Sequence, residues 1–346
     1  MSGTSLDGLD IVLCELSNAK GKWTYHLIKC ETVTYSKKWR NELKGALLLS
    51  GKDLLRLNRH YGAWVAQQVN HFLSDVDKKP DLIASHGHTL FHEPSVGFNF
   101  QLGDGNIIAA NTGITTVSDF RSLDICLGGQ GAPLVPIGDE MLFAEYSACV
   151  NLGGFANVSA QIDQERKAWD ICPLNFVINR LMEKVDLPMD KDGRFGAEGI
   201  VINELLNRLN ALDFYSWNGP KSLAQEWVDE NVWPIIEEYE HEALKNIVRT
   251  CYEHFSEIIA TDLNRRITSG KVLFTGGGVY NAFFINLLKT KLNCEVIIPD
   301  DRLVNYKEAL VFALLGLLRM RGEANCLMNI TGAGSNSSSG SINYIM

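Results

Sequence analysis

Three features of the sequence predict an α/β protein with two domains. Short apolar runs ending in glycine or polar turns alternate with segments whose apolar residues recur every three or four positions. These are the patterns of strands and of amphipathic helices. The 346 residues also exceed what one hydrophobic core comfortably holds. A strand with a polar glycine turn marks residue 1 and again the region near 150, so two similar halves are expected.

Taken in order, Asp10 to Leu16 and Trp23 to Leu27 read as a β-hairpin joined by Ser-Asn-Ala-Lys-Gly. From Lys52 to Asp75, apolar residues at Leu54, Leu57, Tyr61, Val65, Val69 and Phe72 make one face of a helix. Short strands follow in DLIASHG (81–87), FNFQLGDG (98–105) and TTVSDF (115–120). The second set opens with CVNLGG and NVSAQI, then a turn at WDICP and a helix from about Leu174. A long helix runs from His241 to about Arg265. KVLFTGGG (271–278) is a strand into a glycine turn, with a helix over Asn281 to Lys291. EVIIPD (295–300) is a strand, a last helix spans Glu308 to Met320, and the Gly/Ser-rich tail reads as loop.

The composition, 46% hydrophobic and 21% charged, is that of a packed globular protein. Lys and Arg number 32 against 41 Asp and Glu, so the formal charge is 32 − 41 = −9. The charges are scattered, which argues against a nucleic-acid footprint. The eight cysteines form no C-x-x-C and read as reduced thiols. The polar first residues hold no secretory h-region, and no apolar run approaches ~20 residues. No membrane contact and a cytoplasmic location are therefore expected.

Three glycine turns draw attention: Gly3-Thr4-Ser5-Leu6-Asp7-Gly8 with Leu9 and Asp10, Asn151 to Asn157 with Gly153 and Gly154, and Thr275-Gly276-Gly277-Gly278. Glycine lets backbone N–H groups approach phosphate oxygens. None matches the P-loop or the dinucleotide fingerprint. Each alone has an ordinary explanation as a hairpin tip or a strand-to-helix turn. As a set, one opening each half and one before a late helix, they resemble the actin-like ATPase (ribonuclease H-like) superfamily. That likeness implies two domains of mixed sheets flanked by helices, with a cleft between them. The expected domains are 1–122 plus 310–346, and 123–309.

The strings MSGTSLDGLD, SHGHT with LFHEP, SDFR, GGQGAPLVP, VNLGGFANVS, GPKS, TGGGVYN and EALVFALL occur in this order from the first residues to about Gly334. In them the chain resembles the anhydro-N-acetylmuramic acid kinase family. The resemblance implies ATP-dependent, hydrolytic opening of a 1,6-anhydro sugar with phosphorylation of O6, giving N-acetylmuramic acid 6-phosphate in peptidoglycan recycling. It also implies ATP and Mg²⁺ as cofactors, an amino sugar as substrate and a homodimer.

On the family pattern, the catalytic base is Asp170 in Asp170-Ile171-Cys172-Pro173-Leu174-Asn175. A helix starting near Pro173 would place that carboxylate by exposed N–H groups and keep it ionised. The residues alone equally describe a helix cap. Cys172 and Leu174 stand where the family has glycines. Gly3 to Asp10, Gly153, Gly154 and Asn157 are expected to hold the phosphates, with Asp7 or Asp10 orienting Mg²⁺ or its waters. Gly276, Gly277 and Gly278 would lie at the adenosine. Asp119, Arg121, Asp124 and Glu308 are the candidates at the sugar. Arg121 suits a lactyl carboxylate, or an ion pair with Asp119 or Asp124. Glu308 suits the sugar, or the first turn of its helix. His86, His88 and His92 fit no zinc template, and no metal is expected on them.

Relatives enter the first turn from a short apolar strand, so here that turn is expected to be held less firmly, with weaker nucleotide binding. Two other readings remain open from the residues: a kinase of the same fold that uses no water, and a non-catalytic binding protein switched by nucleotide.

Overall fold

Gly8–Ala19 (β1) and Lys22–Thr34 (β2) form an antiparallel hairpin from Gly8↔Thr34 to Ala19↔Lys22. Its two-residue turn is Lys20-Gly21, both left-handed (φ 53° and 85°), the geometry that matches strand twist. The turn is shorter than expected because Ser17 and Asn18 pair with Thr24 and Trp23. The computed structural model describes residues 1–3, 6–217 and 221–345.

The chain divides into two units, Met1–Leu142 with Tyr306–Met346, and Phe143–Asn305. The first unit thus keeps residues 123–142 and begins its return at Tyr306, not 310. Two internal contacts explain this. Asp124 is fully buried and bonded to Gly131 and Thr331. Lys307 Nζ meets the buried Asp139 carboxylate at 2.6 Å.

In the first unit the helix Gly51–Phe72 starts at Ser50, whose hydroxyl accepts from Asp53 N–H. Its stripe of Leu57, Tyr61, Val65 and Val69 packs against Tyr35, Trp39, Leu102 and Ile108. Ile83–Ser85 (β3), His88–Glu93 (β4), Phe98–Leu102 (β5) and Thr116–Ser118 (β6) follow. β3 pairs parallel with β6, and β4 antiparallel with β5.

Ahead of β1, Met1 exchanges both backbone hydrogen bonds with Asp10, each 2.8 Å. Ser2 bridges antiparallel to Leu9 and parallel to His88. Beside them runs a largely apolar groove of about 400 Å³, walled by residues 9–16 of β1 and by residues 82–85.

The second unit is built on Ala148–Leu152 (β7), Phe155–Ile162 (β8), Glu165–Pro173 (β9), Lys271–Thr275 (β10) and Glu295–Ile297 (β11). The order is β11-β10-β7-β8-β9. β10 is parallel to both neighbours, while β7–β8 and β8–β9 are antiparallel. WDICP, expected as a turn, is the end of β9: Trp169, Ile171 and Cys172 are core residues. The helices Asn175–Glu183, Leu244–Arg266 and Ala282–Lys289 supply much of the rest of that core.

The last long helix spans Asp301–Met320 and starts seven residues before Glu308. Asp300 Oδ1 accepts from Leu303 N–H at 2.9 Å, which sets the start. The tail closes on Ser341–Asn343 (β12), antiparallel to β6. Among the described residues no helix is long and apolar enough to cross a membrane. All eight cysteines are free thiols.

Candidate active site

Of the first turn, Thr4 and Ser5 lie outside the described residues. Gly3 and Asp7 are exposed, Leu6 is left-handed at φ 56° and Leu9 is buried. Asp7 Oδ1 accepts from Gly8 N–H at 2.9 Å. A Cβ on Gly8 would lie 2.7 Å from Val33 O across the hairpin, so glycine is required there by close approach. Asp10 Oδ1 accepts from Thr32 Oγ1 at 2.6 Å. Burial pushes the Asp10 carboxyl up, and the Asp7 charge adds to that.

Entry to the turn is fastened by a buried polar chain. Tyr35 OH donates to Ser2 Oγ at 2.6 Å, Tyr61 OH lies 2.6 Å from Tyr35 OH, and Ser2 Oγ meets His88 Nδ1 at 2.9 Å. Two neighbouring carboxylates on a glycine turn suit a hard dication that keeps waters and phosphate oxygens in its shell. Asp7 and Asp10 fit Mg²⁺ in that sense. Among the described residues no three His, Cys, Asp or Glu side chains gather as a metal cage.

In the second unit, Gly153 and Gly154 join β7 to β8. Their carbonyls accept from the N–H groups of Leu174, Asn175 and Phe176, and Asn175 Nδ2 donates to Leu152 O. The opening of the Asn175–Glu183 helix is thereby tied to the turn. Because β7 and β10 are parallel with Asn151 opposite Thr275, the turns after them stand side by side at one sheet end. Ligands characteristically bind at that end of α/β sheets. Gly276 has φ 83°, and a Cβ there would lie 2.4 Å from Asn151 Oδ1. Gly278 is pressed against Leu152, whereas Gly277 faces open space.

Asp170 sits in β9 opposite Asn157 of β8. This corrects the helix-terminus expectation, because Asp170 lies five residues before that helix. Its partners come from the 221–223 segment instead. Asp170 N–H donates to Lys221 O at 3.1 Å, and Asp170 Oδ2 accepts from Leu223 N–H at 2.7 Å. Burial pushes its carboxyl up, while Leu223 N–H, Ser222 and the Lys221 charge pull back. The carboxylate is therefore not held ionised by a helix terminus, as expected from the sequence; burial in β9 raises its proton affinity instead. Of the GPKS string, Gly219 and Pro220 lie outside the described residues, and Lys221 and Ser222 flank Asp170.

The sugar candidates divide. Asp124, with no solvent exposure, accepts from Gly131 N–H (2.8 Å) and Thr331 Oγ1 (2.7 Å). It fastens a loop and has no face for a ligand. Asp119 is left-handed (φ 55°) and accepts from Ser122 Oγ at 2.6 Å; such strain in a non-glycine residue concentrates at functional sites. Arg121 makes neither expected ion pair. It donates to His86 Nε2 and, through NH1, to Gly131 O at 2.6 Å.

Glu308 lies in the third turn of its helix, so a first-turn role is excluded by the Asp301 start. Glu308 stands partly open to solvent; burial of the rest of the carboxyl's environment pushes it up, while Arg121 and the Met1 ammonium pull it down. His86, Arg121, Asp10 and Glu308 thus share one electrostatic neighbourhood in the first unit. The sequence pattern does not show that Arg121 is the partner of His86, or that the Leu223 N–H and the Ser222 side chain face Asp170.

Comparison with known proteins shows which family the chain is similar to. The family described as anhydro-N-acetylmuramic acid kinase matches residues 1–345. A protein of that name from Francisella tularensis subsp. novicida is 34% identical, covering 99% of this chain and 97% of the relative. One from Bacillus cereus is 31% identical, covering 91% of this chain and 90% of the relative. Among solved structures, the activator of the 2-hydroxyisocaproyl-CoA dehydratase from Clostridium difficile with bound ADPNP is similar at TM-score 0.43 and 11% identity, covering 90% of this chain and 96% of that one. With a match from end to end and relatives above 30% identity, the chain belongs to the anhydro-N-acetylmuramic acid kinase family.

Proposed function

We propose that this protein phosphorylates 1,6-anhydro-N-acetylmuramic acid at O6 with ATP while adding water across the anhydro bond. The product is N-acetylmuramic acid 6-phosphate, and the step belongs to peptidoglycan recycling. The observation that carries the hydrolytic half is Asp170, a half-buried carboxyl of raised proton affinity fixed through Leu223 N–H.

Water is a poor nucleophile until a base takes its proton. Asp170 takes that proton as the water oxygen bonds to the anomeric carbon. The bond from that carbon to O6 breaks, and O6 then bonds to the γ-phosphorus as ADP leaves. The turns at 3–10, 153–154 and 276–278 bring backbone N–H groups to the nucleotide, and Asn157 supports them beside Asp170. Asp7 and Asp10 would hold Mg²⁺, which when bound spreads charge on the transferring phosphoryl group. Arg121, Asp119 and Glu308 hold the sugar.

Incubation with the anhydro sugar, ATP and Mg²⁺, read by mass spectrometry, tests this reading. A product that has gained both a phosphoryl group and a water supports it. Gain of the phosphoryl group alone points to a kinase without hydrolysis, and unchanged sugar ends the proposal. Location in the cytoplasm and a homodimeric state belong to the same proposal. Cell fractionation and light scattering test them.

A further inference from the structure

β5 carries Asn99 and Gln101 two positions apart, hence on one face of the strand. Both line a polar recess of about 330 Å³ in the first unit, together with Ser85, His86, Ser118 and Asp119. Ser122 Oγ donates to Asp119 Oδ1 at 2.6 Å, so its proton is committed. It is then an acceptor for Asn99 Nδ2, at 2.9 Å. That chain fixes the Asn99 amide with Oδ1 turned away from Ser122. Asn99 Oδ1 and Gln101 Nε2 are both buried and have no protein partner.

Buried polar atoms in native proteins nearly always have a partner. One orphan acceptor beside one orphan donor specifies a ligand group offering a donor and an acceptor together. A carboxylate or phosphate offers no donor to Asn99, and an ammonium offers no acceptor to Gln101. A hydroxyl has both, but on a single oxygen. Side chains two apart on a strand arise roughly 7 Å from one another, while two hydrogen bonds through one atom span about 6 Å. A secondary amide bonds through two different atoms and spans more.

We infer that Asn99 and Gln101 are the specificity determinants that read an acetamido group. Asn99 Oδ1 accepts the amide N–H and Gln101 Nε2 donates to the amide carbonyl. Asp119 and Ser122 act as positioning residues for Asn99. The assignment rests on the amino-sugar kinase reading and names which part of the sugar this recess takes.

The test compares 1,6-anhydro-N-acetylmuramic acid with its N-deacetylated counterpart in wild type and Gln101→Met. The variant is expected to lower kcat/KM about tenfold on the acetylated sugar, mainly through KM, and less than about twofold on the deacetylated one. Its melting temperature should hold or rise, because the lost donor had no partner in the free protein. Gln101→Glu, which also removes the donor, serves if the first variant does not fold. Equal losses on both sugars, or no loss on the acetylated one, overturn the assignment.

If wild type turns over neither sugar, calorimetric binding of N-acetylglucosamine against glucosamine decides. An acetyl preference abolished by Gln101→Met supports the acetamido site while the kinase reading falls. No preference overturns the site.

Discussion

Arg121 donates to a single nitrogen of His86 from two of its own, Nε at 3.1 Å and NH2 at 2.9 Å. His86 must therefore be neutral, with its proton on Nδ1 facing Gly87 O at 3.0 Å. Burial first, and then the Arg121 charge, hold its pKa well below the usual imidazole range. A hydrogen bond to a charged group contributes roughly 1.5–3 kcal/mol. His86→Ala should accordingly lower kcat/KM for the sugar by about 10- to 100-fold. His86→Gln, whose amide oxygen can accept, should recover part of it. Steady-state kinetics of both variants separate orientation of Arg121 from mere loss of bulk.

Asp170→Asn should reduce turnover by about 10²- to 10⁴-fold, the usual range for losing a general base. The wild-type rate should rise with pH along an acid limb displaced above the ordinary aspartate range, because the Asp170 pKa is raised. The sign for stability is opposite. A carboxyl whose folded pKa is raised favours the folded state at low pH and loses that contribution as pH rises through it. At neutral pH the Asn variant should therefore melt no lower than wild type, and a marked fall in melting temperature would undercut the assignment.

Gly276→Ala should destabilise the protein by about 1–3 kcal/mol, since φ 83° and Asn151 Oδ1 both exclude a Cβ. Gly277→Ala meets open space and should stay within about 0.5 kcal/mol. Nucleotide binding measured beside thermal melts then tests whether this turn touches the nucleotide. A Gly277→Ala variant of normal stability and weakened ATP binding supports it.

His254 in the Leu244–Arg266 helix is fully buried, its ring nitrogens meeting Asn210 Oδ1 and Tyr215 OH. Burial lowers its pKa to about 3. The folded state thus favours the neutral ring. Stability should be full above the unfolded value near 6.5 and decline as pH falls toward about 3, by on the order of 5 kcal/mol. Denaturant melts across pH 7 to 4 should show this slope, and His254→Gln should flatten it.

The helix Gly51–Phe72 is legible from its periodic buried stripe, and β5, β7 and β10 from short apolar runs that end in glycine turns, β7 and β10 being buried on both faces. Local signals misled in three places. Pro173 looked like a turn residue, yet it ends β9, where Trp169 and Ile171 are already core. The polar start of the Asp301–Met320 helix hid two turns that Asp300 caps. The Gly/Ser tail concealed β12, whose pairing depends on β6, far away in sequence. At the site, glycine turns can be found by composition. The partners of Asp170, Arg121 and Asn99 cannot, because Leu223, His86 and Ser122 reach them only through tertiary packing. The alternation Phe98-Asn99-Phe100-Gln101-Leu102 was the available hint of a polar strand face.

The groove beside Met1 has a practical bearing on how the protein is produced. Met1 already pairs with Asp10 in ladder fashion beside the groove walled by residues 9–16 and 82–85, so residues joined ahead of it would be expected to enter that groove. A leader of alternating Val, Ile and Thr would find two strand edges to pair with, and a Gly/Ser leader would leave them to solvent. An affinity tag is thus not neutral at this end. Matched preparations tagged at opposite termini should differ in melting temperature and ATP affinity, with the strand-forming leader giving the higher values. Equal values would show that the first turn is held by Tyr35, Ser2 and His88 alone.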